Sequence, residues 1–135
     1  MDQNPAGVQE LRLVVTTSDY DDALPFYRDV LGLREQATFT SPGGRLTILE
    51  AGRATLELAD PTYAEFIDDV EVGHRVAGHL RVAFQVDDSA ATTRAAEAAG
   101  AKVIAEPVRT PWNSLNSRLA APGGLQLTLF TELPS

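Results

Sequence analysis

Apolar and polar residues alternate in short runs along most of this chain, and eight of those runs predict β-strands. They are LRLVVTT (11–17), LREQATFT (33–40), RLTILE (45–50), ATLELA (54–59), LRVAFQV (80–86), KVIAEP (102–107), NSLNSRLA (113–120) and LQLTLF (125–130). A period of two puts alternate side chains on opposite faces of a sheet. In GHLRVAFQVDD (78–88), Leu80, Val82, Phe84 and Val86 therefore share one face, and His79, Arg81, Ala83 and Gln85 the other. Three segments carry helical spacing instead. In SDYDDALPFYRDVLGL, Ala23, Phe26, Tyr27, Val30 and Leu31 recur at that spacing, with acids in the first turn and Gly32 as the stop. Pro25 lies inside it and is expected to kink the helix or push its regular part later. DPTYAEFIDDVEV reads as a short helix capped by Asp60 with Pro61 at its first position. DDSAATTRAAEAAG reads as an alanine-rich helix ending at Gly100.

The order is β-α-β-β-β, a connecting helix, then β-α-β-β-β again. Asp19 and Asp88 lie 69 residues apart, as do Arg12 and Arg81, and Gly32 and Gly100 lie 68 apart. Two copies of so long a unit indicate a duplicated module with a shared core, not a solenoid. The prediction is an α+β fold: one domain over 10–131, with modules at 10–59 and 79–131 and a connector at 60–78. Residues 1–9 form a disordered lead. GHRVAG is a flexible connection, and the charge run Asp68, Asp69, Glu71 is a solvated helix face.

Composition narrows the function classes. With 135 residues, 44% of them hydrophobic, the chain can bury one core. It has no cysteine, which removes disulfides and thiolate metal sites. A net charge of −8 and a single lysine, Lys102, argue against nucleic acid and against a basic membrane-binding patch. No apolar run approaches the ~20 residues that cross a bilayer, and the N-terminus has no signal-peptide pattern, so a cytoplasmic protein is expected. No GxSxG, P-loop or GxGxxG is present.

SDYDDALPFYRDVLGL, LRVAFQVDD followed by an alanine-rich helix and GAKV, and the closing APGGLQLTLF together resemble the vicinal oxygen chelate superfamily. That superfamily contains glyoxalases, bleomycin-resistance proteins and extradiol dioxygenases. The resemblance covers about residues 10 to 131. It implies two tandem βαβββ modules forming a cup-shaped mixed sheet with helices outside, a ligand inside and a homodimer. Leu13, Val15, Leu56, Leu58, Val82, Phe84, Leu127 and Leu129 would then face the helices. Arg12, Val14, Thr16, Glu57, His79, Arg81, Gln126 and Thr128 would line the cup.

In metal-dependent members, four cup-facing positions hold the ion. Carried onto this sequence, they are Arg12, Glu57, Arg81 and Thr128, of which only Glu57 matches. Arginine has no lone pair to donate and stays protonated, so no metal or other cofactor is expected. A shifted site built from His79, Glu57 and a second acid is the alternative. Arg12, Glu57 and Arg81 read first as an ion triad stapling the modules. They read second as a clamp in which one guanidinium takes a carboxylate, phosphate or carbonyl of a ligand.

Trp112, in TPWN, could stack a planar ligand while Asn113 and Asn116 bond its edges. Phe39, Tyr63 and Phe66 could wall the cup, Phe66 fitting helix packing better. The expected ligand-binding set is thus Arg12, Glu57, His79, Arg81, Trp112, Asn113, Asn116 and Thr128. The leading expectation is a metal-independent binding protein that sequesters a partly planar organic compound. The alternative is a glyoxalase-type lyase or isomerase with Glu57 as base and Arg81 or Arg12 as electrophile. Its weakness is that a carboxylate between two arginines should have a depressed pKa. A third reading is an accessory module of a biosynthetic pathway.

Overall fold

The computed structural model describes residues 7–122 and 124–134. Its strands are β1 (Glu10–Thr16), β2 (Arg34–Ser41), β3 (Gly44–Ala51), β4 (Ala54–Ala59), β5 (Leu80–Gln85), β6 (Lys102–Arg109), β7 (Ser114–Ala121) and β8 (Leu125–Glu132). Helix α1 (Tyr20–Pro25), α2 (Pro61–Glu71) and α3 (Ser89–Ala98) complete it. The eight strands form one mixed sheet in the order β2-β3-β4-β1-β5-β8-β7-β6. Each half contains one parallel pair, β1 with β4 and β5 with β8. The halves join through antiparallel β1 and β5, where Leu13 pairs with Val82 and Val14 with Arg81. The expected lead, 1–9, falls mostly outside the described residues, but Gln9 already donates its backbone N–H to Gln85 at 2.8 Å.

Pro25 acts differently from expectation. The regular α-helical turns precede it, and Phe26–Val30 closes as a π-turn, with the Leu31 N–H donating to the Phe26 carbonyl at 3.0 Å. A residue without an N–H breaks the i→i−4 ladder, and the chain recovers with a wider loop.

The outer face of the sheet is backed by the two module helices. Against α1, Leu49 and Leu58 are fully buried with Tyr20, and Val15, Leu24, Tyr27 and Leu56 pack around them. Against α3, the contact is through small polar groups, with Thr93 and Ser117 hydroxyls bonded at 2.7 Å. The connecting helix α2 instead lies across the inner face. Its Tyr63 and Ile67 pack on Leu46, Ile48 and Ala59, with Phe66 at the edge of the cluster. Asp60 caps it, accepting from the Tyr63 N–H at 2.9 Å, and Pro61 stands at its first position as the sequence indicates.

Gly44 allows this helix to sit so close. A Cβ there would stand 2.5 Å from the Tyr63 backbone nitrogen and 2.9 Å from its Cα. Those are backbone atoms of a capped helix and cannot swing away. Gly44→Ala should cost roughly 1–2 kcal/mol, the overpacking penalty less the unfolded-state entropy gained by alanine. Urea denaturation measures it, and an unchanged midpoint would show that the helix start yields freely.

Candidate functional site

Strand register brings the polar faces of both modules into one cup. Arg12 pairs with Thr55 and Ala83, Val14 with Glu57 and Arg81, and Ala83 with Thr128. Arg12, Glu57, Arg81 and Thr128 thus stand in two adjacent rows across the centre of the sheet. A cavity of about 560 Å³ opens over them. Ala37, Phe39, Leu46, Ile48, Tyr63 and Ile67 form its apolar wall, Phe130 and Ala83 part of its floor, and Trp112 its rim. That volume lies within the ordinary range of small-molecule sites.

Arg12 is well supplied with partners. Its Nε donates to Glu10 at 2.5 Å, Glu57 and Glu132 each stand 3.7 Å away, and its guanidinium lies 4.7 Å over the Phe130 ring. Arg81 is different. It is buried, its Nη1 donates to Thr128 Oγ1 at 2.9 Å, and among the described residues no carboxylate lies within 4 Å of it. The expected Arg12–Glu57–Arg81 staple therefore does not close: Glu57 reaches Arg12 loosely and Arg81 not at all. Burial pulls the Arg81 guanidinium below the usual arginine value, against the pull of the Glu71 carboxylate.

Glu57 corrects a second expectation. Its carboxyl is buried, and among the described residues no donor reaches it in hydrogen-bond geometry. Burial pushes its pKa up from the ordinary carboxylate value, and the charges of Arg12 and Arg81 moderate the rise without reversing it. Two arginines that stand off lose to desolvation.

Beside this row lies a buried network that sequence reasoning missed. Asp68 and Glu71, expected on a solvated face, are both buried, while Asp69 between them is exposed as expected. Arg118 of β7, itself without exposed surface, donates Nη1 to Asp68 at 2.8 Å and Nη2 to Glu71 at 2.8 Å. The second Asp68 oxygen accepts from Arg75 and from the backbone N–H groups of Val76 and Ala77, all at 2.8–2.9 Å. The GHRVAG segment is thereby tied down at Arg75 to Ala77. Burial alone would raise the Asp68 pKa, but these donors outweigh it and hold the group below its ordinary value. The usable signal was the i, i+3 spacing of Asp68 and Glu71, which puts both acids on one side of α2, opposite the polar face of NSLNSRLA.

Glu71 also lines the cavity. It accepts from Asn116 Nδ2 at 2.8 Å and from Thr128 Oγ1 at 3.0 Å. The Thr128 hydroxyl proton therefore points at Glu71 and its lone pairs at Arg81.

Of the expected ligand-binding set, Arg12, Glu57, Arg81, Trp112, Asn113, Asn116 and Thr128 line the cavity, and His79 does not. His79 is exposed at the strand's edge, with Nδ1 2.8 Å from the Thr16 carbonyl. It cannot join Glu57 in a shifted metal site. Asn116 already donates to Glu71 and accepts from Ser114, and Asn113 accepts from Arg109 and donates to the Leu133 and Pro134 carbonyls. Trp112 stands near Phe66, ring centroids 6.3 Å apart.

The donor set at the four central positions does not fit a metal. Two guanidiniums and a hydroxyl surround one carboxylate, and guanidinium nitrogens offer no lone pair. Among the described residues no group of three or more His, Asp or Glu side chains is placed to hold an ion.

Two βαβββ modules around a shared cavity define an α+β protein of duplicated design. The chain belongs to the Glyoxalase/Bleomycin resistance protein/Dioxygenase superfamily, whose family model matches residues 11–129. Among curated proteins it is 32% identical over 125 residues to CFP32 of Mycobacterium tuberculosis, described as a candidate glyoxylase. That match takes in 87% of this chain but only 42% of CFP32, so the chain spans less than half the length of that relative. It is 34% identical over 103 residues to the lactoylglutathione lyase of Haemophilus influenzae, covering 73% of each. Among solved structures, hypothetical protein BH1468 of Bacillus halodurans superposes with a TM-score of 0.70 at 19% identity, covering 96% of each chain. Methylmalonyl-CoA epimerase of Mycobacterium tuberculosis does so with a TM-score of 0.67 at 23% identity, covering 94% of this chain and 90% of the epimerase. At those identities the likeness is one of fold. No helix among the described residues is long and apolar enough to cross a membrane.

Proposed function

We propose that the cup binds a small, partly planar organic compound without a metal ion. The observation that carries this reading is the cavity itself, of about 560 Å³, with an apolar wall on α2 and β3 and arginines at the metal positions. Shape and apolar burial supply affinity in such a site, and a few fixed polar groups supply orientation. Trp112 at the rim closes over a flat ligand. Assembly as a homodimer belongs to the same proposal and is read from purified protein by light scattering.

The test is a thermal-shift screen of metal-free protein against planar antibiotics and small oxo acids, followed by titration of any hit. Trp112→Ala should weaken a hit by at least ~1 kcal/mol, about fivefold in Kd. Unchanged affinity removes Trp112 from the site, and a screen in which no compound shifts the melt removes the reading.

A second reading is favoured by Glu57. A buried carboxyl with a raised pKa is a stronger base than an ordinary carboxylate, and it borders the cavity together with Arg12 and Arg81. It could take a proton from carbon next to a carbonyl, the electron pair moving onto the carbonyl oxygen beside Arg81. The enzymatic names of the curated relatives support keeping it. Turnover by metal-free protein that disappears in Glu57→Gln would establish it, whereas saturable binding without turnover favours sequestration.

A further inference from the structure

The proposed cup contains three cations, and they differ in how far each is already neutralised. Arg118 is enclosed by Asp68, Glu71, Gln126 and Thr128 and does not border the cavity. Arg12 borders it but has three carboxylates within 4 Å and an aromatic ring beneath it. Arg81 borders it, is 8% exposed, and among the described residues uses one of its five donors, on a neutral hydroxyl. A buried guanidinium left in that condition is costly unless something anionic completes it.

Thr128 shows that Arg81 is held, not loose. The hydroxyl gives its proton to Glu71 and accepts from Arg81 Nη1 at 2.9 Å, so one corner of the guanidinium is pinned. Its remaining N–H groups keep the planar fork that matches a carboxylate. We infer that the ligand of this cup is a planar monocarboxylate, an aromatic or otherwise conjugated organic acid, seated with its carboxylate on Arg81. The flat apolar part then lies against Ile48 and Ile67 with Trp112 at the mouth. The inference rests on the cup being a binding site and adds the charge and chemical class of what it takes.

One negative charge is the complement that fits. Glu57, Glu71 and Glu132 also border the cavity. A second anionic group on the ligand would meet these carboxylates, and among the described residues no other guanidinium without a carboxylate partner borders the cavity to answer it. Dicarboxylates and phosphate esters are therefore disfavoured. So is a cationic ligand, which the overall charge of −8 would otherwise suggest, because it would face Arg81.

The decisive comparison needs no variant. 2-Naphthoate and 2-naphthamide have nearly the same shape, and calorimetric titration of the unmodified protein should give at least a tenfold tighter Kd for the acid. Arg81→Gln should reduce that preference to less than twofold, the larger loss of affinity falling on the acid. Equal affinity for acid and amide in the unmodified protein overturns the inference and leaves the cup-binding reading standing. A preference that survives in folded R81Q protein also overturns it, by placing the anion elsewhere. If neither naphthalene compound binds and the wider planar-compound screen is silent, the binding reading fails and takes this inference with it.

Discussion

Arg118→Met is expected to destabilise the protein by about 3–5 kcal/mol, the scale seen when one partner of a buried ion cluster is removed. Arg118 has no exposed surface and supplies charge-assisted bonds to two carboxylates of α2 at 2.8 Å each. Methionine fills much of the volume, so the loss is chiefly electrostatic: Asp68 and Glu71 would remain buried beside a thioether. Asp68 would keep Arg75 and two backbone donors, while Glu71 would keep only Asn116 and Thr128. Glu71 therefore loses the larger share of its donors.

Urea denaturation at neutral pH measures the total. A triple variant D68N/E71Q/R118M should recover a large part of the loss, because it removes the orphaned charges as well as their partner. The network also predicts an acid limb. The Asp68 pKa is depressed in the folded state, so its contribution is present above the unfolded value of about 3.9 and is lost as pH falls through the folded value. A loss below ~1 kcal/mol for Arg118→Met would mean that α2 is held by Tyr63 and Ile67 alone.

The convergence of Arg12, Glu57, Arg81 and Thr128 could be expected because strand alternation and the module repeat agree with the cup-facing positions that the family resemblance implies. Strand alternation assigns each residue a face, and the module repeat puts Arg12 and Arg81 at matching places in two strands that proved to be neighbours. What could not be read lies across long separations in sequence. Glu71 meets Arg118 across 47 residues and Asp68 meets it across 50, so a helix carrying those acids looks solvated until β7 is set opposite it. His79 failed for a local reason: at a strand's first turn its ring folds back on the Thr16 carbonyl and leaves the cup. The sign of the Glu57 shift failed for a metric one. A pair of arginines outweighs burial only at contact distance, and here one stands at 3.7 Å, shared with other acids, and the other lies beyond 4 Å.

That geometry sets the second large effect. Glu57→Gln should stabilise the protein at about pH 8 by about 1 kcal/mol and by little at about pH 4. That is the low end of the cost of desolvating an acceptor, because the carboxyl borders the cavity and Arg12 stands near it. The sign follows from the direction of the shift. The folded pKa of Glu57 lies above its unfolded value of about 4.3, so the folded state binds the extra proton between the two. Its favourable contribution is complete below the unfolded value and is lost as pH rises through the folded one. The neutral amide never incurs that loss, so its advantage should grow upward from about pH 4.3 and level off once Glu57 is ionised in the folded protein. Urea denaturation of both proteins across that span gives the curve directly. A destabilisation that grows as pH rises would show instead that the Glu57 charge is held favourably by Arg12. A stabilised E57Q protein that also loses turnover would identify a carboxyl kept at the expense of the fold for its chemistry, the pattern expected of a working base and not of a staple.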